Sequence, residues 1–100
     1  MIAKEMFKKL GYEQKIYNKE KNPNLNAIQY IKRANDSEMQ RIGMIITKCI
    51  EFYTFPIKEI VIYTTYEHKN GKKSKSDMGI LNLEEFNAIE KQVLELEWQD

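Results

Sequence analysis

Apolar side chains in the first ten positions of the chain recur at three- and four-residue intervals. Ile2, Ala3, Met6, Phe7 and Leu10 fall on one side of a helical wheel and Lys4, Glu5, Lys8 and Lys9 on the other, which predicts a helix over 2–10. Gly11 stops it, because a glycine just past a helix takes positive φ without a Cβ clash, and the two lysines of the last turn suit the negative end of the helix dipole. Tyr12 then stands where the apolar residue of such an ending packs back on the helix.

From Tyr12 to about Leu81 the period shortens to two. YEQKIYN reads as a short strand, and Asn22, Pro23 and Asn24 supply the turn after it. In NAIQYIKR, Ile28 and Tyr30 alternate with Ala27, Gln29 and Ile31, a second strand; ANDSE follows as a polar reversal. RIGMIITKCIEFYTF puts Ile42, Met44, Ile46, Ile50 and Phe52 on one alternating face, interrupted only by Lys48. Strands average ~5 to 6 residues, so this run is read as two strands with a turn or bulge near Thr47 and Lys48. Pro56, which lacks an amide donor, closes it. KEIVIYTTYE resumes the alternation with both faces apolar at its start, the mark of a central strand.

The last segment, NLEEFNAIEKQVLELEW, returns to helical spacing. Asn82 fits an N-cap and Glu85 completes a capping box. Leu83, Phe86, Ile89, Val93 and Leu96 form a stripe widened by Leu94 and Trp98, with Glu84, Glu85, Glu90, Glu95 and Glu97 on the remainder. The strand connections are too short for parallel crossovers. The chain therefore predicts one α+β domain over 1–100, with a mainly antiparallel sheet of about 4–6 strands and both terminal helices packed on one face, a two-layer sandwich.

Charge adds a division that the net value of +1 conceals: residues 1–80 carry +6 and residues 81–100 carry −5. The single cysteine, Cys49, has no intrachain disulfide partner, which points to a reducing compartment. No apolar run approaches the ~20 residues of a membrane span. Lys4 and Glu5 interrupt any leader-like apolar stretch, so a cytoplasmic protein is expected.

The most function-like segment is EHKNGKKSKSD, at 67–77. Asn70-Gly71 marks a turn, so the segment is expected to be a long hairpin connection. Its lysines Lys69, Lys72, Lys73 and Lys75 would either grip phosphates or keep a sheet edge soluble. The chain lacks the domain-wide basic excess of nucleic-acid binders, which favours the second. Glu67 and Lys69 spell the E-x-K of metal-dependent nucleases, with only Glu51 or Asp36 as partner carboxylates. Cys49 and His68 would need a third, orienting group to act as nucleophile and base, and one cysteine with one histidine falls short of a zinc site. No catalytic residue, metal or cofactor is expected. Among the six tyrosines, Tyr30, Tyr53, Tyr63 and Tyr66 lie in strands, where they serve sheet packing, a protein interface or base stacking. With Trp98 they are the candidate protein-contact residues.

The two ends, MIAKEMFKKLGYE and NLEEFNAIEKQVLELEW, resemble a group of short phage- and prophage-encoded proteins of Gram-positive bacteria, in which a helix ending LGYE precedes a β-meander and a closing helix of the form EEL-x-AI-x-KQ-x-ELGW. Glu97 stands where that group has glycine, which favours continued helix over a turn. The resemblance carries over no catalytic residue. It implies a mobile-element setting, the cytoplasm of a bacterial host, and an accessory role such as binding or inhibiting a host or defence protein, in the manner of anti-defence or anti-CRISPR proteins. Protein binding is thus the expected function, nucleic-acid binding through Lys69–Lys75 its main alternative and a nuclease the second. An unpaired sheet edge could also join a second copy as a homodimer.

Overall fold

The computed structural model describes residues 1–17, 26–34, 43–55, 57–76 and 79–98. The elements run α1 (Ala3–Lys9), β1 (Glu13–Tyr17), β2 (Asn26–Arg33), β3 (Met44–Phe55), β4 (Glu59–His68), β5 (Lys73–Ser76) and α2 (Leu83–Glu95). Each strand pairs antiparallel with its neighbour in the chain, giving a five-stranded sheet in the order β1-β2-β3-β4-β5. The N- and C-terminal helices pack together, completing the expected α+β architecture. The expected turn at Asn22–Asn24, most of the ANDSE reversal, Ile42 and Pro56 lie outside the described residues.

Register sorts the side chains between two faces. Gln14, Tyr30, Ile50 and Ile62 lie in one cross-strand row, and Ile16, Ile28, Phe52 and Ile60 in the next. The helices cover this face. Phe7 of α1 is fully buried, stacked on Tyr30 at 3.8 Å between ring centroids and edge-on to Tyr12 at 5.6 Å and Phe52 at 6.3 Å. Ile50, Ala88 and Ile89 close the cluster, with Met6, Val93, Leu96 and Trp98 around it.

The long third strand corrects the expectation of a break. β3 runs for 12 residues, and at the supposed turn Thr47 and Lys48 pair with Arg33 and Lys32 on one side and Thr65 and Thr64 on the other. As the middle strand it has ladder partners on both edges, which sustains a length that an edge strand would not. Lys48 stays on the covered face because it has a partner there. Its ammonium reaches the Glu85 carboxylate at 2.8 Å and also donates to the Ile80 carbonyl.

Glu85 gathers more than the capping box read from the sequence. Its N–H donates to Asn82 Oδ1 at 2.7 Å and its carboxylate accepts from the Asn82 N–H at 3.1 Å, the two halves of the box. The same carboxylate accepts from the Tyr12 hydroxyl and from Lys48, tying the end of α1, the middle of β3 and the start of α2 together. Burial alone would raise this carboxyl, but Lys48, Tyr12 and the Asn82 amide outweigh it and hold it below the ordinary carboxylate range. A depressed folded-state value means that the ionised group stabilises the fold fully above the unfolded value of about 4.3, and that this contribution is lost as pH falls through the lowered one. Glu85→Gln is therefore expected to melt below wild type at neutral pH, with the gap narrowing below about pH 4. Thermal melts across that range check this; a gap that does not change with pH would contradict it.

Both helices end in the same geometry. At α1, Gly11 has φ 95°, its N–H bonds Lys8 O at 3.0 Å, and Tyr12 N–H bonds Phe7 O at 2.9 Å. At α2, Glu97 N–H bonds Leu94 O at 3.1 Å and Trp98 N–H bonds Val93 O at 3.3 Å. These are paired Schellman bonds, each with an aromatic residue folded back onto its helix. Helix is thus not continued at Glu97, contrary to the expectation: the residue sits at φ 55°, in the left-handed region that glycine enters without a Cβ clash. Glu97→Gly is expected to raise stability by up to ~1 kcal/mol in urea titration. α1 lacks a side-chain cap of its own; Ala3 N–H instead donates to Glu95 Oε2 of α2 at 2.6 Å, fastening the helices to each other.

The lysine-rich stretch is shorter as a loop than expected. His68 N–H bonds Lys72 O at 2.8 Å and Gly71 N–H bonds His68 O at 2.9 Å, with Gly71 at φ 86° and the Asn70 side chain accepting from Lys72 N–H at 3.0 Å. The turn closes within residues 69–72, and 73–76 form β5. Among the described residues no helix is long and apolar enough to cross a membrane.

Candidate functional site on the helix-free sheet face

The side chains that alternate with the core face the other side of the sheet, which neither helix covers. In register they are Glu13, Ile31, Cys49 and Tyr63 in one row, Lys15, Gln29, Glu51 and Val61 in the next, and Ala27, Tyr53 and Glu59 beyond it; Arg33, Thr47, Thr65 and Lys75 lie toward the hairpin, with Ile45, Glu67 and Lys73 at its base.

The centre of this face is a carboxylate. Glu51 is only 5 % exposed although no helix lies above it. Tyr53 donates its hydroxyl to Glu51, and Tyr63 of the neighbouring strand lies beside the same carboxylate. Gln29 Nε2 donates to the Tyr63 oxygen at 3.1 Å. Burial first, then the Glu51 carboxylate beside it, raises the Tyr63 phenol far above its ordinary value, so it stays neutral at all physiological pH. The two rings are half-buried, held in place by their own hydroxyls, and present their remaining surface to solvent. Lys75 Nζ lies over the Tyr63 ring at 4.4 Å. Toward the hairpin the face dips into a depression of ≈ 430 Å³ lined by Ile45, Thr47, Thr65, Glu67, Lys73 and Lys75.

The structure divides the aromatic candidates between layers. Tyr53 and Tyr63 share the helix-free face. Tyr30 belongs to the core: it is fully buried, accepts from Gln14 Nε2 at 3.0 Å and donates to Gln92 Oε1, so it presents no surface. Trp98 packs on Phe52 on the helix side, 6.3 Å between centroids. Tyr66 pairs with Ile46 and Ser74, also on the helix side. Of the lysines, Lys73 and Lys75 lie on the face with the tyrosines, while Lys69 and Lys72 belong to the turn.

The nucleophile and nuclease constellations do not assemble. Cys49 pairs with Tyr63 and His68 with Met44, five positions apart along the ladder, or about 17 Å at ~3.3 Å per residue. Burial holds the Cys49 thiol above its ordinary value, against the reactive thiolate. Glu51 and Glu67 share a face but lie six positions apart along the third and fourth strands, about 20 Å, too far to share one ion. Asp36 lies outside the described residues; among those described, no cluster of three potential ligands occurs.

The sequence reading takes Gln29 only as a strand position and Glu51 only as a possible metal-ligand carboxylate, not as the polar centre of this face. Their signal was present: a glutamine and a glutamate interrupt two strands at positions alternating with core residues, and both turn out buried. In class the protein is an α+β domain in which, among the described residues, both helices lie on one face of the sheet. No family model, curated protein or solved structure matches the chain.

Proposed function

We propose that this protein is a non-enzymatic binding module that docks another protein on its helix-free sheet face. The observation that carries the reading is a pair of tyrosines with their hydroxyls fixed, Tyr53 on the buried Glu51 carboxylate and Tyr63 beside it on Gln29. Side chains already fixed in their rotamers forgo the ~0.5 to 1.5 kcal/mol of ordering that a mobile side chain loses on binding, and tyrosines of this kind are the usual anchors of protein interfaces. Around them stand Val61, Ile31 and Thr65, half-buried, and then a rim of charge.

The rim also ranks the partners. Among the described residues Glu13, Glu59 and Glu67 face outward with Lys15, Arg33, Lys73 and Lys75 around the buried Glu51, so the face is close to neutral and mixed in sign. A phosphate backbone is drawn to cations and repelled by those carboxylates, whereas a protein surface can match both. The likeness of both chain ends to phage and prophage proteins supports an accessory role in a bacterial host cell, directed at a host or defence protein.

Val61→Glu places an unpaired charge in the centre of the face without touching the core. Affinity capture from host lysate is expected to retrieve a partner with wild type and to lose it with Val61→Glu; a partner retained by both would contradict the reading. Mobility shifts of single- and double-stranded nucleic acid over a salt series are expected to show no retardation. Retardation lost on changing Lys69, Lys72, Lys73 and Lys75 to alanine would replace this function with nucleic-acid binding.

A further inference from the structure

The outer side of α2 and the residue leading to it leave large apolar side chains in solvent. Ile80 is 85 % exposed, Leu83 73 %, Leu94 65 % and Phe86 52 %. Leu83, Phe86, Glu90 and Leu94 follow one another at helical intervals, so they form one ridge turned away from the buried Glu85, Ala88, Ile89 and Gln92. Next to the helix layer, Ile60 of β4 is still 39 % exposed on the helix-side face of the sheet. Single exposed apolar residues are ordinary, but a row of them along one helix marks a contact surface.

The surrounding charge selects the occupant. Glu84, Glu90 and Glu97 are exposed along the helix and at its end, and Lys91 is the one lysine or arginine in residues 81–98. A second copy of this ridge would set carboxylate against carboxylate, and an anionic lipid surface would repel it. A helix carrying apolar residues at the same spacing, flanked by lysine or arginine, satisfies both the ridge and its acids. We propose that the outer ridge of α2, with Leu83, Phe86 and Leu94 as anchors and Ile80 at its head, is a second docking surface that takes a basic amphipathic helix of a partner protein. It lies on the layer opposite the tyrosine face and does not depend on the function proposed there.

The test uses two synthetic helical peptides with leucine on one face, one carrying lysine and the other glutamate on the polar face, titrated by fluorescence anisotropy against the full chain. The lysine peptide is expected to bind, more weakly as salt rises, and the glutamate peptide not to bind. Changing Leu83 and Phe86 together to glutamine, with circular dichroism confirming the fold, is expected to weaken the lysine peptide by about tenfold or more, the loss typical of interface anchors. Val61→Glu, on the other layer, is expected to leave it unchanged. Equal binding of both peptides, no binding of either, or indifference to the double substitution would overturn the proposal. So would sedimentation showing a dimer that the double substitution dissolves, since the ridge would then belong to a second copy.

Discussion

Phe7→Ala is expected to lower the unfolding free energy by about 3–5 kcal/mol, the range for removing a buried phenylalanine with incomplete collapse around the gap. The ring is fully buried between α1 and the sheet and touches three other aromatic rings, Tyr12, Tyr30 and Phe52, so its loss empties the joint between the layers. Small domains have about 5–15 kcal/mol in total, so the variant would stand near the edge of folding. Urea titration followed by circular dichroism measures this directly. The contrasting substitution is Phe86→Ala, the same chemical change on the exposed side of α2, where a shift within about 0.5 kcal/mol is expected. Similar losses for the two would mean that α1 does not seal the sheet as described.

The second large effect concerns backbone passage. A Cβ added to Gly79 would clash with Ile62 Cγ2 and lie 2.9 Å from Ile62 Cβ, because the chain entering α2 crosses over β4. Gly79→Ala therefore overpacks the crossing and is expected to cost about 1–3 kcal/mol or more. Ile62→Ala removes the Cγ2 branch, the closer of the two clashing atoms, and keeps only the Cβ contact. The two substitutions together should be less destabilising than the sum of the two alone, by an interaction of about 0.5–3 kcal/mol in a double-mutant cycle. Strict additivity would show that the crossing has slack. The same crossing sets Ile80 O against the Lys48 ammonium, so loosening it also disturbs the join between β3 and α2.

What the sequence made legible followed local rules. The glycine stop at Gly11, the Asn82–Glu85 capping box and the alternation of NAIQYIKR each depend on neighbours within a turn or a strand, and each is present. The departures depend on distant contacts. Lys48 reads as an interruption until Glu85, far along the chain, supplies the partner that lets it stay in an unbroken strand. Glu97, standing where the resembled group has glycine, reads as continued helix, yet it takes a left-handed turn in which Trp98 N–H bonds back to Val93 O. The candidate face was legible only in part. Alternation separates Tyr53 from Phe52 and Tyr30 from Gln29, but which side the helices would cover is a tertiary choice. Without it Tyr30 and Tyr63 look alike, although one is sealed in the core and the other is held by Gln29 on the face that neither helix covers.

On the proposed function it is the sheet face that neither helix covers, and not the helix layer around α1, that meets the protein partner. Site-specific photo-crosslinking in the host cell tests this, with a benzophenone side chain placed either at Val61 on that face or at exposed Lys8 on α1. A discrete, nuclease-resistant protein adduct is expected from Val61 and none from Lys8. An adduct from Lys8 with Val61 silent would contradict the proposed function.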